Sequence, residues 1–199
     1  MGKTVLVLIN GHAGVGKDTF ASMCGDYAKQ EYSPCGFVNI HRSDRPKQAL
    51  RIMGWDGVKD EESRSLLKTL VDWMESKGEM YQYLYRTLRG LCDEYNIVFY
   101  HVRDPQVMYS IIDRYLNDDT VRPISLLMKR DTESQEPTDW WDDPENGDYM
   151  MTLEIKTGEW DGMRKAAKAF VDFVLSTNWK IEKKEDDYND TGEQKVDHA

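Results

Sequence analysis

The sequence is poor in cysteine and lacks any long apolar stretch. Its three cysteines form no C-x-x-C pair and have no accompanying histidine motif, which argues against a disulfide framework and a zinc site and favours a reducing, cytoplasmic location. The longest apolar run, Val5 to Ile9, is too short for a membrane span or a secretory signal, so no membrane partner is expected. With 199 residues and no internal repeat, the chain is predicted to form one domain with room for an insertion.

Basic residues are in the minority, and the excess of acid is concentrated in two segments. The formal net charge is −10, yet residues 131–148 hold eight acidic side chains and no Lys or Arg, and residues 180–199 hold seven acids against four lysines. The rest of the chain is close to neutral and has no basic stripe, which argues against binding along a nucleic-acid backbone. The polar residues 179–199 have little to bury and are predicted to be a disordered tail.

Apolar spacing along the chain predicts strands that alternate with helices. Strands are expected at 4–10, 36–40, 96–102, 123–129 and 150–155. Helices are expected at 17–30 and 46–53, on either side of Gly78 within 60–92, from Pro105 to Tyr115, and from Gly158 to Ser176. This order predicts an α/β fold with a parallel sheet covered by helices on both faces, and a ligand site beyond the carboxyl ends of the strands.

The first strand is followed by the motif GHAGVGKDT at residues 11–19, which has the form G-x-x-x-x-G-K. Glycines allow positive φ and let the backbone wrap around a phosphate, while successive N–H groups and the start of the next helix bind the anion. Lys17 is placed to reach the β- and γ-phosphates of ATP, and a hydroxyl side chain is expected to bind Mg²⁺. The alternative is a glycine-rich turn with a solvated lysine. The predicted ATP-binding residues are Gly11, His12, Ala13, Gly14, Val15, Gly16, Lys17, Asp18 and Thr19.

Two acids and a threonine are candidates for metal chemistry. Many phosphate loops have Ser or Thr directly after the lysine, but here Asp18 occupies that place and Thr19 follows, so Thr19 is the predicted Mg²⁺ ligand. Asp18 could polarise metal-bound water as a catalytic residue, or could simply be a carboxylate favoured at a helix N-terminus. Asp104 could likewise serve the metal, or cap the helix that begins at Pro105.

Further basic residues are candidates for binding the transferred group and the acceptor. Phosphoryl transfer needs positively charged side chains beside both the donor and the acceptor, and arginine binds phosphate with two parallel hydrogen bonds. Arg103, at the end of the third strand, and Arg130, at the end of the fourth, are predicted catalytic residues with Lys17. For Arg103 the alternative is a salt bridge that closes the edge of the core. The predicted acceptor-binding residues are Arg42, Arg45, Lys47 and Arg64, for which a solvated helix face is the alternative.

Four segments, in this order, resemble the phage and bacterial deoxynucleoside monophosphate kinases within the P-loop kinases. They are GKDT at 16–19, SDRPK at 43–47, GWDGVKDE at 54–61 continuing to Leu67, and HVRDP at 101–105. The resemblance implies a three-layer sandwich built on a five-stranded parallel sheet, within a kinase domain at 1–178. It also implies a helical acceptor-binding insert at 41–95 and a short lid at 130–149.

The resulting functional hypothesis is ATP-dependent phosphoryl transfer to a (deoxy)nucleoside monophosphate, giving the diphosphate. One alternative is a kinase for a hydroxyl of a modified pyrimidine in DNA, which would need Asp18 or Asp104 as a general base. Another is a non-catalytic nucleotide-binding module whose acidic stretch, with Trp140 and Trp141, recruits a partner. The sequence leaves open which base and sugar are accepted, and it leaves a homodimer open. His41 and His101 are interpreted as hydrogen-bonded side chains rather than ligands.

Overall fold

The computed structural model describes residues 4–58, 60–76, 79–131, 143–156 and 158–176. The described elements are β1 (Thr4–Asn10), α1 (Lys17–Glu31), β2 (Phe37–His41), α2 (Asp44–Ile52), α3 (Glu61–Ser76), α4 (Glu79–Glu94), β3 (Ile97–His101), α5 (Pro105–Tyr115), β4 (Val121–Arg130), β5 (Met151–Ile155) and α6 (Trp160–Ser176). Among these residues, no helix is long and apolar enough to cross a bilayer.

The strands form one parallel sheet in the order β2-β3-β1-β4-β5. β1 lies at the centre, and all seven of its residues are buried, because a central parallel strand is covered on both faces. Its side chains alternate between the two faces. Val5, Val7 and Ile9 pack with α1 and α6, whereas Leu6 and Leu8 pack with α4 and α5. The predicted α/β class and the parallel sheet are therefore confirmed.

Element boundaries differ from the prediction mainly where tertiary contacts decide them. β4 begins at Val121 rather than at residue 123, so Pro123 lies inside the strand and not at its first position. Proline removes a ladder donor, but β5 pairs with β4 only from Leu126 onward, so Pro123 lies where β4 is still an edge strand. α2 begins at Asp44, two residues before the predicted start, with Pro46 in its first turn, and α6 begins at Trp160.

The sheet positions the predicted site at one edge. Parallel strands end at the same edge, so the loop after β1 lies beside the ends of β3 and β4. Helices α2, α3 and α4 connect β2 to β3 and lie within residues 41–95, and the acceptor-binding role predicted for this range stays a prediction. Of the predicted lid at 130–149, residues 132–142 lie outside the described residues, as do Trp140 and Trp141 and the predicted tail at 179–199.

Candidate active site

The glycine-rich loop connects β1 directly to α1 and has the backbone that the motif predicts. Gly11, Gly14 and Gly16 have φ values of 141°, 79° and 97°. Gly16 is the N-cap of α1, and no side chain caps that helix. The first N–H groups of α1 are thus left to an external acceptor, which is the arrangement that binds phosphate at a helix N-terminus. Val15 is buried and anchors the loop, while Ala13 and Gly14 are exposed.

Asn10, the last residue of β1, ties three parts of the site together. Its side chain is buried, and its Nδ2 donates to the carbonyl of Arg103 at 3.0 Å and to the hydroxyl of Tyr149 at 2.8 Å. Its Oδ1 accepts from the N–H of Gly11 at 2.8 Å. One amide therefore fixes the start of the loop, the segment after β3 and the segment before β5 relative to one another.

Replacing Asn10 with Ala should lower the free energy of unfolding by about 2 to 4 kcal/mol, because it removes three hydrogen bonds and leaves buried partners unsatisfied. Tyr149→Phe removes only the bond between the two side chains and should cost about 1 kcal/mol. Urea unfolding of both variants measures the difference. Equal costs would show that the bonds to Arg103 and Gly11 contribute nothing.

Lys17, the first residue of α1, folds its side chain back onto the loop. Its Nζ donates to the carbonyls of Gly11 and, at 2.9 Å, of His12. The pKa of Lys17 is lowered from the usual 10.5 to about 8, mainly by burial; the carboxylate of Asp18 opposes the shift, and the charge of Arg103 contributes to it. The ammonium is poorly solvated inside the loop, so an anion bound there would relieve an existing electrostatic cost.

The depressed pKa of Lys17 predicts a specific pH dependence of stability. Between pH 8 and 10.5 the unfolded chain holds a proton on Lys17 that the folded chain has lost, so the free energy of unfolding should rise with pH across this window. Across this window the free energy of unfolding of wild type should rise by up to about 3 kcal/mol more than that of Lys17→Met. Urea unfolding at the two ends of the window measures this difference. If the free energies of unfolding of the two proteins change with pH in parallel, the pKa of Lys17 is not lowered in the folded state.

Two buried nitrogens beside the loop have no hydrogen-bond partner among the described residues. Arg130, at the end of β4, donates from Nη1 to the carbonyl of Gly14 at 3.2 Å, but its Nε has no partner. Nδ1 of His12 is also without one, while its Nε2 lies 3.7 Å from a carboxylate oxygen of Asp143. Buried polar atoms are normally satisfied, so these two fit a site that receives a polar ligand. Together with the glycine backbone and Lys17, they suit a bound phosphate group.

Asp18 faces two histidines at the ends of neighbouring strands. Its Oδ1 lies 2.9 Å from Nε2 of His41 and 3.7 Å from Nε2 of His101. The two imidazole rings stack with centroids 3.9 Å apart, and Nε2 of His101 lies 2.8 Å from Oδ1 of Asn39. Burial, and then the neighbouring His41, lower the pKa of His101 to about 3, against the opposing charge of Asp18. His101 is therefore neutral at pH 7 and hydrogen-bonded, as predicted.

The remaining metal and catalytic candidates occupy the same edge of the sheet. Thr19 is half-buried in the first turn of α1. Asp104 is the N-cap of α5 and accepts from the N–H of Gln106 at 2.8 Å, so its predicted capping alternative is confirmed and its metal role stays a prediction. Arg103 is exposed one residue before this cap, and its charge acts on Lys17.

The predicted acceptor residues divide into two places. Arg42 and Arg45 lie at the junction of β2 and α2, directly after His41, and both are half-buried. Lys47 pairs with Asp44 at 3.1 Å, an ion pair within the first turn of α2. Arg64 is exposed in the first turn of α3, where its charge acts on Asp60. The acceptor roles of all four stay predictions.

Three site residues had no signal that sequence reasoning could use. Asn10 is the last residue of an apolar strand, and Tyr149 lies 139 positions later, so only the fold brings them together. Asn39 precedes His41 by two positions on β2. The pairing of His41 with His101 depends on the register of β2 against β3. The sequence shows both histidines, but not the register that pairs them.

Comparison with known proteins supports the fold. No protein-family profile matches the chain, and no curated protein matches it in sequence. A solved structure of an inferred kinase from Chloroflexus aurantiacus has a TM-score of 0.52 at 13% identity, covering 88% of this chain and 98% of that one. The chain has a P-loop kinase fold. This follows from that match together with the strand order and the glycine loop between β1 and α1.

Two further solved structures have lower scores, and no argument rests on them. An APS kinase mutant from Mycobacterium tuberculosis matches with a TM-score of 0.49 at 13% identity, covering 88% of this chain and 99% of that one. A thymidylate kinase from Ehrlichia chaffeensis matches with a TM-score of 0.44 at 15% identity, covering 89% and 100%. The P-loop kinase fold shown by the first match agrees with the predicted resemblance at the level of the fold and selects no kinase family.

Proposed function

We propose that this protein, which has a P-loop kinase fold, transfers the γ-phosphate of ATP to a (deoxy)nucleoside monophosphate, giving the diphosphate. The observation that carries the proposal is the phosphate-binding geometry of the loop: three glycines with positive φ, an uncapped α1 N-terminus, and a desolvated Lys17. The order of the four sequence segments that resemble deoxynucleoside monophosphate kinases supports this class of acceptor.

The loop residues would hold the donor. Backbone N–H groups of the loop and of the first turn of α1 bind the phosphates, and Lys17 exchanges its loop carbonyls for phosphate oxygens. Arg130 already donates to Gly14 and has an unsatisfied Nε, so it can bind a phosphate without leaving the loop. Mg²⁺, which would neutralise phosphate charge during transfer, would be held by Thr19 and the Asp104 carboxylate.

The acceptor would bind on the side of the site away from the donor phosphates, against the helical insert formed by α2, α3 and α4. Arg42 and Arg45 begin the insert at the end of β2, where they can pair with the acceptor phosphate. Arg103 stands between the two sides, at the end of β3, and would neutralise the charge that develops on the transferred group. A phosphate acceptor is already ionised at pH 7, so positioning and electrostatics suffice and no general base is needed.

A hydroxyl acceptor is the second candidate, and one observation favours it. A hydroxyl must lose a proton, and Asp18, with 72% of its side chain exposed beside the loop and held by His41, is placed to accept it. In that case Asp18→Asn would abolish transfer. With a phosphate acceptor, Asp18→Asn would leave a substantial part of the activity, since no base is then required.

A coupled ADP-release assay with ATP and Mg²⁺ tests the proposal across all eight ribo- and deoxynucleoside monophosphates. We expect at least one monophosphate to raise ADP release well above the rate without acceptor. Parallel samples contain DNA with hydroxymethylated pyrimidines. Turnover on the DNA alone selects the hydroxyl acceptor, and ATP binding without turnover on any acceptor selects a non-catalytic module. Either result overturns the proposal.

A further inference from the structure

A cavity between α4 and α5 is lined by arginines that the proposed function does not use. Its lining residues are Tyr85, Arg86 and Arg89 of α4 and Arg114 of α5. Its volume of about 460 Å³ lies within the range of about 300 to 1,000 Å³ that is usual for small-molecule sites. Three guanidinium groups around one concave surface repel one another, so an anion bound among them would lower their electrostatic energy.

The cavity lies toward the edge of the sheet where the strands begin, away from the glycine-rich loop. The end of α4 reaches this edge, because Thr4, the first residue of β1, donates its hydroxyl to the carbonyl of Tyr95, the residue after α4, at 2.9 Å. Arg89 donates to Asp118, three residues before β4 begins, at 2.5 Å. The glycine-rich loop follows the other end of β1. A ligand in the cavity would therefore occupy a site separate from the predicted ATP site.

The positive charges of the cavity are only partly compensated. Arg89 pairs with Asp93 at 2.9 Å and with Asp118 at 2.5 Å, and these two ion pairs hold its guanidinium at one wall. Among the residues that the structure describes, neither Arg86 nor Arg114 forms an ion pair with a carboxylate. Both of their side chains are exposed, so a ligand can reach them from solvent. The cavity therefore offers two accessible positive charges to an anion.

Tyr85 gives the cavity an aromatic wall that orients one of these charges. Its ring is half-buried and packs against the apolar core on the α4 and α5 face of the sheet. The Cζ atom of Arg114 lies 4.6 Å from the centroid of that ring, in a cation–π contact. A guanidinium oriented in advance loses less side-chain freedom for each hydrogen bond that it forms with a phosphate. Part of the ordering that binding requires is therefore already present.

We propose that the cavity between α4 and α5 binds a small molecule that carries a chain of phosphate groups. Arg86 and Arg114 would each bind phosphate oxygens with two parallel hydrogen bonds, while Arg89 keeps its two carboxylates. A phosphate chain has several charges and so can reach both arginines, which a single carboxylate group cannot. A nucleoside triphosphate and inorganic polyphosphate share this chemistry. Two arginines in one cavity suit such a short chain, whereas a nucleic-acid backbone needs a basic stripe.

Calorimetric titration with ATP in EDTA, where no Mg²⁺ supports turnover, tests the cavity. Wild type should bind one ATP per chain more than the double variant Arg86→Ala/Arg114→Ala, whose affinity at the cavity should fall at least about tenfold. Arg164→Ala removes an exposed arginine of α6 and should bind as wild type does. A titration with inorganic tripolyphosphate distinguishes a site for the phosphate chain alone, which it fills, from a nucleotide site, which only ATP fills. Equal binding by wild type and the double variant would overturn the proposal.

Chemical modification of arginine gives a second readout that needs no variant. A dicarbonyl reagent reacts with accessible guanidinium groups, and mass mapping of peptides measures the rate at each arginine. ATP or tripolyphosphate, whichever fills the cavity, should slow the modification of Arg86 and Arg114 and leave that of Arg164 unchanged. Equal rates with and without the ligand at Arg86 and Arg114 would overturn the proposal. Both experiments follow binding at the cavity, so this inference does not rest on the proposed kinase function, and either can fail alone.

Discussion

Lys17→Ala should reduce the acceptor-dependent release of ADP by about 100- to 1000-fold, the usual effect of removing one preorganised group that stabilises transition-state charge. Lys17 is the only lysine inside the described loop motif, and its ammonium is already desolvated there, as its pKa of about 8 reflects. An interaction made in such an environment is stronger than the same contact in water, so its loss should affect turnover more than the stability of the chain.

Lys29→Ala is the matched control for that experiment. Lys29 lies in the last turn of the same helix and is exposed, so its removal tests whether charge loss anywhere on α1 lowers activity. Lys17→Arg is a second comparison, because guanidinium keeps the charge but has a planar fork in place of a compact ammonium, and it should not restore turnover. If Lys17→Ala retains a third or more of wild-type turnover, the loop does not act on the transferred phosphate.

Gly11→Ala should destabilise the fold by about 2 to 5 kcal/mol, through left-handed backbone strain and a steric clash together. Gly11 has a φ of 141°. It lies against β4 so closely that a Cβ would collide with the backbone carbonyl of Met128 and would come within 3.2 Å of Val15. A backbone carbonyl in a central sheet cannot move aside as a flexible side chain can. The close approach is a consequence of the β1–β4 pairing that continues to Asn10.

Two further glycine substitutions separate strain from collision. Gly14 has a φ of 79°, but a Cβ there meets nothing within 4 Å, so Gly14→Ala should cost only the strain, about 1 to 2 kcal/mol. Gly90 is a helical glycine in α4 with open space around it, and Gly90→Ala should stabilise by about 0.5 to 1 kcal/mol. Urea unfolding of the three variants should give this order. Equal costs for Gly11→Ala and Gly14→Ala would show that β4 does not confine the loop.

The elements that sequence predicts best are those fixed by local chemistry. β1 and the start of α1 agree with the prediction, because a short, β-branched apolar run favours a buried strand and the glycine motif marks where it ends. Asp104 could be recognised as a helix cap because the following Pro105 suits the first helical position. The parallel sheet follows from the alternation of strands and helices.

Features that depend on distant partners could not be predicted. The early start of β4 follows from the pairing of Val121 with Thr4, the first residue of β1. The bond between Asn10 and Tyr149 joins positions 139 residues apart. The stacking of His41 on His101 follows from strand register, which no short motif encodes. Sequence supplied the residue types of the site, while topology decided which of them meet.

Incubation with ATP labelled at the γ-phosphate, followed by chromatography of the products, tests the central claim most directly. The claim is that the loop presents the γ-phosphate of ATP to a nucleoside monophosphate. In the presence of Mg²⁺ and the monophosphate that stimulates ADP release most, we expect the label to appear in the matching diphosphate, and to be absent from it with Lys17→Ala. Label that appears only as inorganic phosphate, or that stays in ATP with every monophosphate, would contradict the account.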